Sequence, residues 1–327
     1  MRYRTIPGTD LNAAVIVMGT AGFGGSMTEE AAYRLFDMYV ERGGNFIDTA
    51  LVYDDWLNQG RSLTEIRLGK WLKARGNRSK LLIATKGAHP ELSTMQISRI
   101  GREDIIADVE RSLLQLQTDY IDLYWLHRDD PSKPVSGIMD TLGELVKAGK
   151  IRSIGCSNWT VERIREANAY ASAHGRTPFV ASQPLWNFAV LNPGSIGDPT
   201  LVVMSEADKR YYEETGMAVI PFSSQANGFF SGRYARGREA GIQGSAAAVS
   251  RQYFNEASFD RLDRVQALAA ELGAASSAVA LAYLTSHPFP VYPIIGATKP
   301  EYMRESCAAG DLTLTPEQMR FLETGER

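Results

Sequence analysis

Asp48, Tyr53, Lys86 and His127 are the residues whose types and spacing suit proton-transfer chemistry. A free tyrosine ionises near ~10, so it is a reluctant acid–base group at neutral pH. A lysine ammonium beside it favours the phenolate and lowers that value. An aspartate would pair with the lysine and hold it, and a histidine would donate to an oxygen on which charge develops. Taken singly, each residue has a plainer use. Asp48 can cap the segment that starts at Thr49, His127 can be a satisfied structural histidine, and Tyr53 can be a loop aromatic. A buried lysine needs a partner in any case, and Lys86 could instead form a Schiff base with a carbonyl.

A parallel barrel would bring such residues together, because its strand ends converge at one face. Short apolar runs predict strands at Val15–Gly19, Asn45–Thr49, Leu81–Lys86, Ile121–Leu126, Ser153–Ser157, Val180–Pro184, Ala218–Ser223 and Tyr292–Gly296. Helical patterns lie between them. Thr28 is placed to cap the first helix, and Ile105, Val109, Leu113 and Leu116 keep helical spacing within Asp104–Gln117. Eight strand–helix units in series predict a (β/α)₈ TIM barrel over residues 1–327 as a single domain. The rival is a doubly wound open sheet. It calls for a G-x-G-x-x-G turn after the first strand, whereas Gly19-Thr20-Ala21-Gly22-Phe23-Gly24-Gly25 does not match. Asp48, Lys86 and His127 then fall at or just beyond three strand ends, with Tyr53 shortly after the second strand.

Composition narrows the partners. The chain is 44% apolar and 22% charged with a net charge of -3, which predicts no nucleic-acid footprint. The two cysteines, Cys156 and Cys307, are far apart and form no C-x-x-C, and the four histidines are scattered, so no metal site is expected. No stretch predicts a membrane span, and a cytoplasmic enzyme is the expectation. The segment Gly228–Ser258, rich in Gly, Ala, Ser and Arg, is too long for an ordinary loop and reads as a clamp or lid.

The segments NFIDTALVY, IATKG and LYWLHRDD resemble the Asp, Tyr, Lys and His segments of the aldo-keto reductase superfamily, in order, spacing and strand context. GCSN, ASQPLWN, IPFSSQANGFFSGR and PIIGATKPEYMRE resemble that family's cofactor segments in the same order. The similarity runs from about residue 10 to residue 325. It implies NAD(P)H-dependent, reversible reduction of an aldehyde or ketone to an alcohol. Tyr53 would be the general acid in reduction and the general base in oxidation, and His127 would orient the carbonyl. Some members, the potassium-channel β subunits, keep the fold and the four residues while docking on a partner. A cofactor-binding regulatory subunit is therefore the second reading.

The resemblance also assigns a cofactor path across the barrel mouth. Gly19, Thr20 and Asp48 lie at its early strand ends. Ser157, Asn158 and Gln183 would hold the nicotinamide carboxamide, and Phe222 would stack on its ring, where many members have tyrosine. Ser223, Gln225, Asn227, Gly228, Ser231 and Arg233 fall at the pyrophosphate. Gly296, Ala297, Thr298, Lys299, Tyr302, Glu305 and Ser306 fall at the adenosine end. Many members carry arginine near Lys299 or at Tyr302, and asparagine at Ser306. NADP(H) is the expected cofactor, with NAD(H) or dual use left open by that departure. Phe23, Trp56, Trp125 and His127 are expected to line the substrate pocket. Asp54, Asp55, Arg128 and Asp129 read as a charged rim suited to a hydroxyl-rich, sugar-like substrate, or as a plain solvated edge.

Overall fold

The computed structural model describes residues 1–57, 59–237 and 245–327. Eight parallel strands form one curled sheet: β3 (Val17–Gly19), β4 (Phe46–Asp48), β5 (Leu82–Gly87), β6 (Ile121–Leu126), β7 (Ile151–Ser157), β8 (Phe179–Gln183), β9 (Ala218–Val219) and β10 (Ile294–Ile295). β10 pairs with β3, and each strand from β3 to β8 pairs with its successor. All six residues of β6 are buried, as a strand covered on both faces requires.

Closure falls between β9 and the chain leading into β10. Val219 N donates to Pro290 O at 2.8 Å, Tyr292 N to Val219 O at 2.9 Å, and Ile294 N to Pro221 O at 3.0 Å. The last two strands are shorter than the sequence predicts because Pro221, Pro290 and Pro293 have no N–H. They join the ladder only as acceptors, so regular pairing breaks into short pieces.

A hairpin that the apolar runs do not predict precedes the barrel. β1 (Tyr3–Thr5) and β2 (Asn12–Ala14) pair antiparallel ahead of the barrel. Ile6, Leu11 and Ala13 join Phe46, Ala84, Leu123, Trp125 and Tyr292 in one core cluster, so the hairpin packs against the barrel interior. β3 begins two residues later than expected because Ala14 ends the hairpin.

Helices α1 (Glu29–Glu41), α2 (Leu63–Arg75), α3 (Arg102–Leu116), α4 (Val135–Lys147), α5 (Val161–Ala173) and α6 (Glu206–Thr215) connect successive strands. The Thr28 side chain caps α1 by accepting from Ala31 N at 3.2 Å. After β9 come α7 (Ser245–Tyr253), α8 (Glu256–Leu272) and α9 (Ser276–Thr285), and after β10 come α10 (Pro300–Ala308) and α11 (Pro316–Thr324). Residues 238–244 of the expected clamp lie outside the described residues. Among the described residues, no single helix is long and apolar enough to cross a membrane.

Candidate active site

Three adjacent strand ends carry the four proton-transfer candidates. Asp48 ends β4, Lys86 is the penultimate residue of β5, and His127 follows β6, its N–H donating to Gly87 O at 3.0 Å. Lys86 Nζ donates to Asp48 Oδ1, to Thr49 O at 2.8 Å and to the Tyr53 hydroxyl at 3.0 Å. Asp48 Oδ2 accepts from Trp125 Nε1 at 3.0 Å and from Gln183 Nε2 at 3.1 Å. Asp48 and Lys86 are each only 1% exposed. Every donor of the ammonium is used, so this buried charge pair is fully satisfied.

Electrostatics follow from burial. Burial alone would lower the Lys86 ammonium, but Asp48 and Tyr53 outweigh it and the net shift is upward. Lys86 is therefore an ammonium at neutral pH. Burial pushes the Asp48 carboxyl up, opposed by Lys86, Gln183 and Trp125. Burial also pushes the Tyr53 phenol above its ordinary value, and Lys86 only partly offsets this. The expected lowering of Tyr53 is thus reversed: desolvation of a phenolate exceeds the pull of one ammonium already shared with Asp48. Tyr53 is a neutral O–H donor at pH 7. Burial, then His89, Arg128 and Lys86, drive His127 well below its ordinary value, so its imidazole is neutral. Its ring stands 6.0 Å from that of Tyr53 at 75°.

Tyr53 sits on the loop after β4, and its neighbour fixes that loop. Asp54 is fully buried at φ 69° and accepts from Gly22 N at 2.9 Å, Gly25 N at 3.0 Å, Thr64 Oγ1 at 2.9 Å and also Gly24 N. A Cβ on Gly24 would lie 2.6 Å from Thr64 N and 2.7 Å from Asp54 Oδ2, so only glycine allows this approach. Asp54 is a buried anchor and not part of a solvated rim. Asp129 is half-buried, paired with Arg163 at 3.2 Å.

A cleft of about 460 Å³ runs from Gly19, Thr20 and Tyr53 to Tyr302, Glu305 and Ser306. Between these ends it is walled by Phe222, Ser223, Gln225, Asn227, Gly228, Ser231, Arg233, Gly296 and Thr298. Gln225 spans it, accepting from Gly296 N at 3.0 Å and donating to Ser306 Oγ at 2.9 Å. Arg233 donates to Ser231 Oγ at 2.9 Å and forms no ion pair among the described residues. Its guanidinium fills the space a Cβ on Gly228 would take, at φ 84°. A flat ring, small residues and a cation without an ion pair among the described residues, all in one extended groove, fit a dinucleotide. Ala297 and Lys299 are not on the cleft wall: Ala297 is buried, and Lys299 is exposed with Nζ 5.8 Å from the Tyr302 ring.

Ser157, Asn158 and Gln183 are buried beside the charge pair. Ser157 Oγ donates to Gln183 O at 3.0 Å, and Asn158 Nδ2 to His127 O at 3.3 Å. Gln183 reaches Asp48 through Nε2, which ties the amide-bearing residues to the buried charge pair.

Two expected pocket residues have no access to open space. Phe23 is 2% exposed and packs on Phe36 with centroids 5.3 Å apart. Trp125 is fully buried, and its indole N–H orients Asp48 instead. Trp56 is open to solvent, with its ring 6.2 Å from that of Tyr53.

The sequence model of the Aldo/keto reductase family matches residues 15–324. The chain belongs to this family. The reductase is 30% identical over 344 residues to the aryl-alcohol dehydrogenase [NADP(+)] of Phanerodontia chrysosporium, covering 98% of this chain and 85% of the relative. It is 29% identical over 330 residues to a norsolorinic acid reductase of Emericella nidulans, covering 97% and 79%. The fold of the reductase matches the crystal structure of a thermostable aldo-keto reductase in complex with the inhibitor epalrestat. That match has a TM-score of 0.74 at 23% identity and covers 99% of both chains. The reductase is thus an oxidoreductase of a family that handles small carbonyl compounds and alcohols with a nicotinamide cofactor.

Proposed function

We propose that this reductase reduces an aldehyde or ketone to an alcohol, reversibly and with NADP(H) preferred, with Tyr53 as the group that exchanges the proton. The observation that carries the reading is the 3.0 Å hydrogen bond from Lys86 Nζ to the Tyr53 hydroxyl, backed by the buried Asp48. Phe222, Arg233 and the residues between them would hold the cofactor, with Ser157, Asn158 and Gln183 at its amide. The bound nicotinamide supplies or accepts the hydride.

The chain's own residues supply the rest. In reduction the carbonyl oxygen gains an electron pair and needs a proton. The Tyr53 O–H gives it, and the resulting phenolate is stabilised at once by the Lys86 ammonium. In oxidation that phenolate takes the alcohol proton back. The neutral His127 imidazole borders the same space. Lys86, protonated and held by three acceptors, offers no free amine for a Schiff base. The aromatic alcohol named for the relative from Phanerodontia chrysosporium suits the exposed Trp56 ring beside Tyr53.

The test is steady-state turnover of aldehydes, ketones and alcohols with each nicotinamide cofactor, on the wild type and on Tyr53→Phe. The variant is expected to lose about 10²–10⁴-fold in kcat, the range of a positioned acid–base group, while cofactor affinity stays unchanged. Near-normal turnover in that variant would remove Tyr53 from the role. Tight cofactor binding without turnover of any compound would favour a regulatory subunit.

A further inference from the structure

Asp54 follows Tyr53 directly and has no part in the chemistry above. Every partner of its buried carboxylate is a donor. Oδ1 accepts from Gly22 N at 2.9 Å, and Oδ2 accepts from Gly25 N at 3.0 Å, from Thr64 Oγ1 at 2.9 Å and from Gly24 N. Donors on both oxygens call for a side chain that only accepts, and at this reach aspartate supplies it. An amide in its place would turn an –NH₂ towards one of these donors.

What Asp54 joins bears on the reaction. Gly22, Gly24 and Gly25 belong to the loop that follows β3. Thr20 and Ala21, at the start of that loop, line the dinucleotide cleft together with Tyr53. The loop begins at the buried charge pair, where Thr20 N donates to Asp48 O at 3.1 Å. Its far end is held by Arg67 of α2, which donates from Nη1 to Met27 O at 2.8 Å and to Phe23 O. The Tyr53 segment is tied to β5 by a backbone bond, Leu51 N to Lys86 O at 3.0 Å. Its tie to the cofactor-side loop is made by a side chain, that of Asp54.

Carbonyl reduction needs the phenol O–H and the hydride donor aimed at one group, within a small tolerance of distance and angle. The single hydrogen bond from Lys86 holds the Tyr53 hydroxyl but leaves the ring free to swing about it. The backbone at Asp54 decides where that ring starts. We propose that Asp54 is a positioning residue for proton transfer, locking Tyr53 to the loop that walls the cofactor cleft. This rests on the reading of Tyr53 as the proton donor.

The test is a double-mutant cycle on the full chain. Asp54→Gly and Asp54→Asn are each made with Tyr53 intact and in the Tyr53→Phe background. Both replacements adopt a positive φ readily, so the carboxylate is removed without backbone strain. Single-turnover reduction by prebound, saturating NADPH reads the chemical step. The carbonyl is benzaldehyde, or the fastest compound of the screen above where that is another. With Tyr53 intact, Asp54→Gly is expected to slow this step about 10²-fold, the cost of a misplacement of about 1 Å, and Asp54→Asn somewhat less. With Tyr53 already replaced, neither change is expected to slow it further, because the group being positioned is gone. An equal loss in both backgrounds would overturn the proposal and make Asp54 a support of the fold or of the cofactor alone. So would an unchanged rate in the folded variants. Where the Asp54 variants fail to fold, Thr64→Val removes one donor from the carboxylate and is read through the same cycle. Near-normal turnover of Tyr53→Phe, or no turnover of any carbonyl by the wild type, would instead overturn the underlying reading, and the proposal with it.

Discussion

The two halves of the barrel mouth are built on opposite plans. At the ends of β4, β5 and β6, Asp48 and Lys86 are fully buried and every Lys86 donor is engaged. Around β9, β10 and α10, the strands shrink to two residues each, small side chains line an open cleft, and Arg233 forms no ion pair among the described residues. Proton-transfer groups gain from fixed positions at all times, because reorganisation during reaction is costly. A binding groove gains from donors left open, because a ligand then completes them. Substitutions in the first half are therefore expected to cost stability and turnover together. In the second half they are expected to cost affinity alone.

The largest expected contrast comes from setting Asp48→Asn against Arg233→Met. Asp48→Asn keeps the shape but strands the Lys86 ammonium at a site where it is 1% exposed. Breaking one partner of a buried pair costs about 3–5 kcal/mol, so urea unfolding should show a loss of that size. Arg233 forms no buried pair among the described residues, so Arg233→Met should leave the unfolding midpoint in place and weaken NADP(H) binding about tenfold or more. Equal stability losses in the two variants would erase the distinction between the halves.

A smaller effect probes the back of the rigid half. Glu65 of α2 is fully buried and accepts from Thr85 Oγ1 at 2.5 Å, one residue before Lys86 on β5. Burial raises its carboxyl from 4.5 to about 7. With the folded value above the unfolded one, the protonated form stabilises the fold. That stability is complete below about 4.5 and is lost as pH rises through about 7. The loss is on the order of 3 kcal/mol. Glu65→Gln keeps a neutral acceptor for Thr85 and should flatten the Tm–pH curve between pH 5 and 8. An unchanged slope would mean that Glu65 is not the group titrating there.

The same contrast explains what the sequence disclosed. The grouping of Asp48, Tyr53, Lys86 and His127 was legible because parallel strand ends converge at one face of a barrel. Six of the eight strands were legible because buried parallel strands are continuous apolar runs, whereas β9 and β10 were overextended where prolines interrupt the ladder. The N-terminal hairpin was not legible: β1 is three exposed residues with no pattern to read. Asp54 was misplaced at the surface because its partners are mostly backbone N–H groups contributed by a distant loop. Phe23 and Trp125 show a further limit. An aromatic near a strand end can face the pocket or the core, and period alone does not say which. The net rise of the Tyr53 phenol above its ordinary value was not legible, because it depends on burial, which only packing reveals.

The smallest expected effect concerns the choice between the two nicotinamide cofactors. Lys299 is the N-cap residue of α10, with Pro300 as the first helical residue, and its side chain is exposed over Tyr302. Helix N-termini favour anions, and an ammonium at the cap adds to that field. A 2′-phosphate arriving here would meet both, but solvent screens an exposed lysine strongly. Lys299→Met should therefore raise the KM for NADPH by only about two- to fivefold, leave that for NADH unchanged, and lose its effect at high salt. A stronger, salt-independent loss would mean that Lys299 becomes enclosed once the cleft is filled, making the open half more like the rigid one than its unfilled geometry implies. Equal changes for both cofactors would place the phosphate elsewhere and move the discrimination to Gln225 and Ser306, whose hydrogen bond already spans the groove.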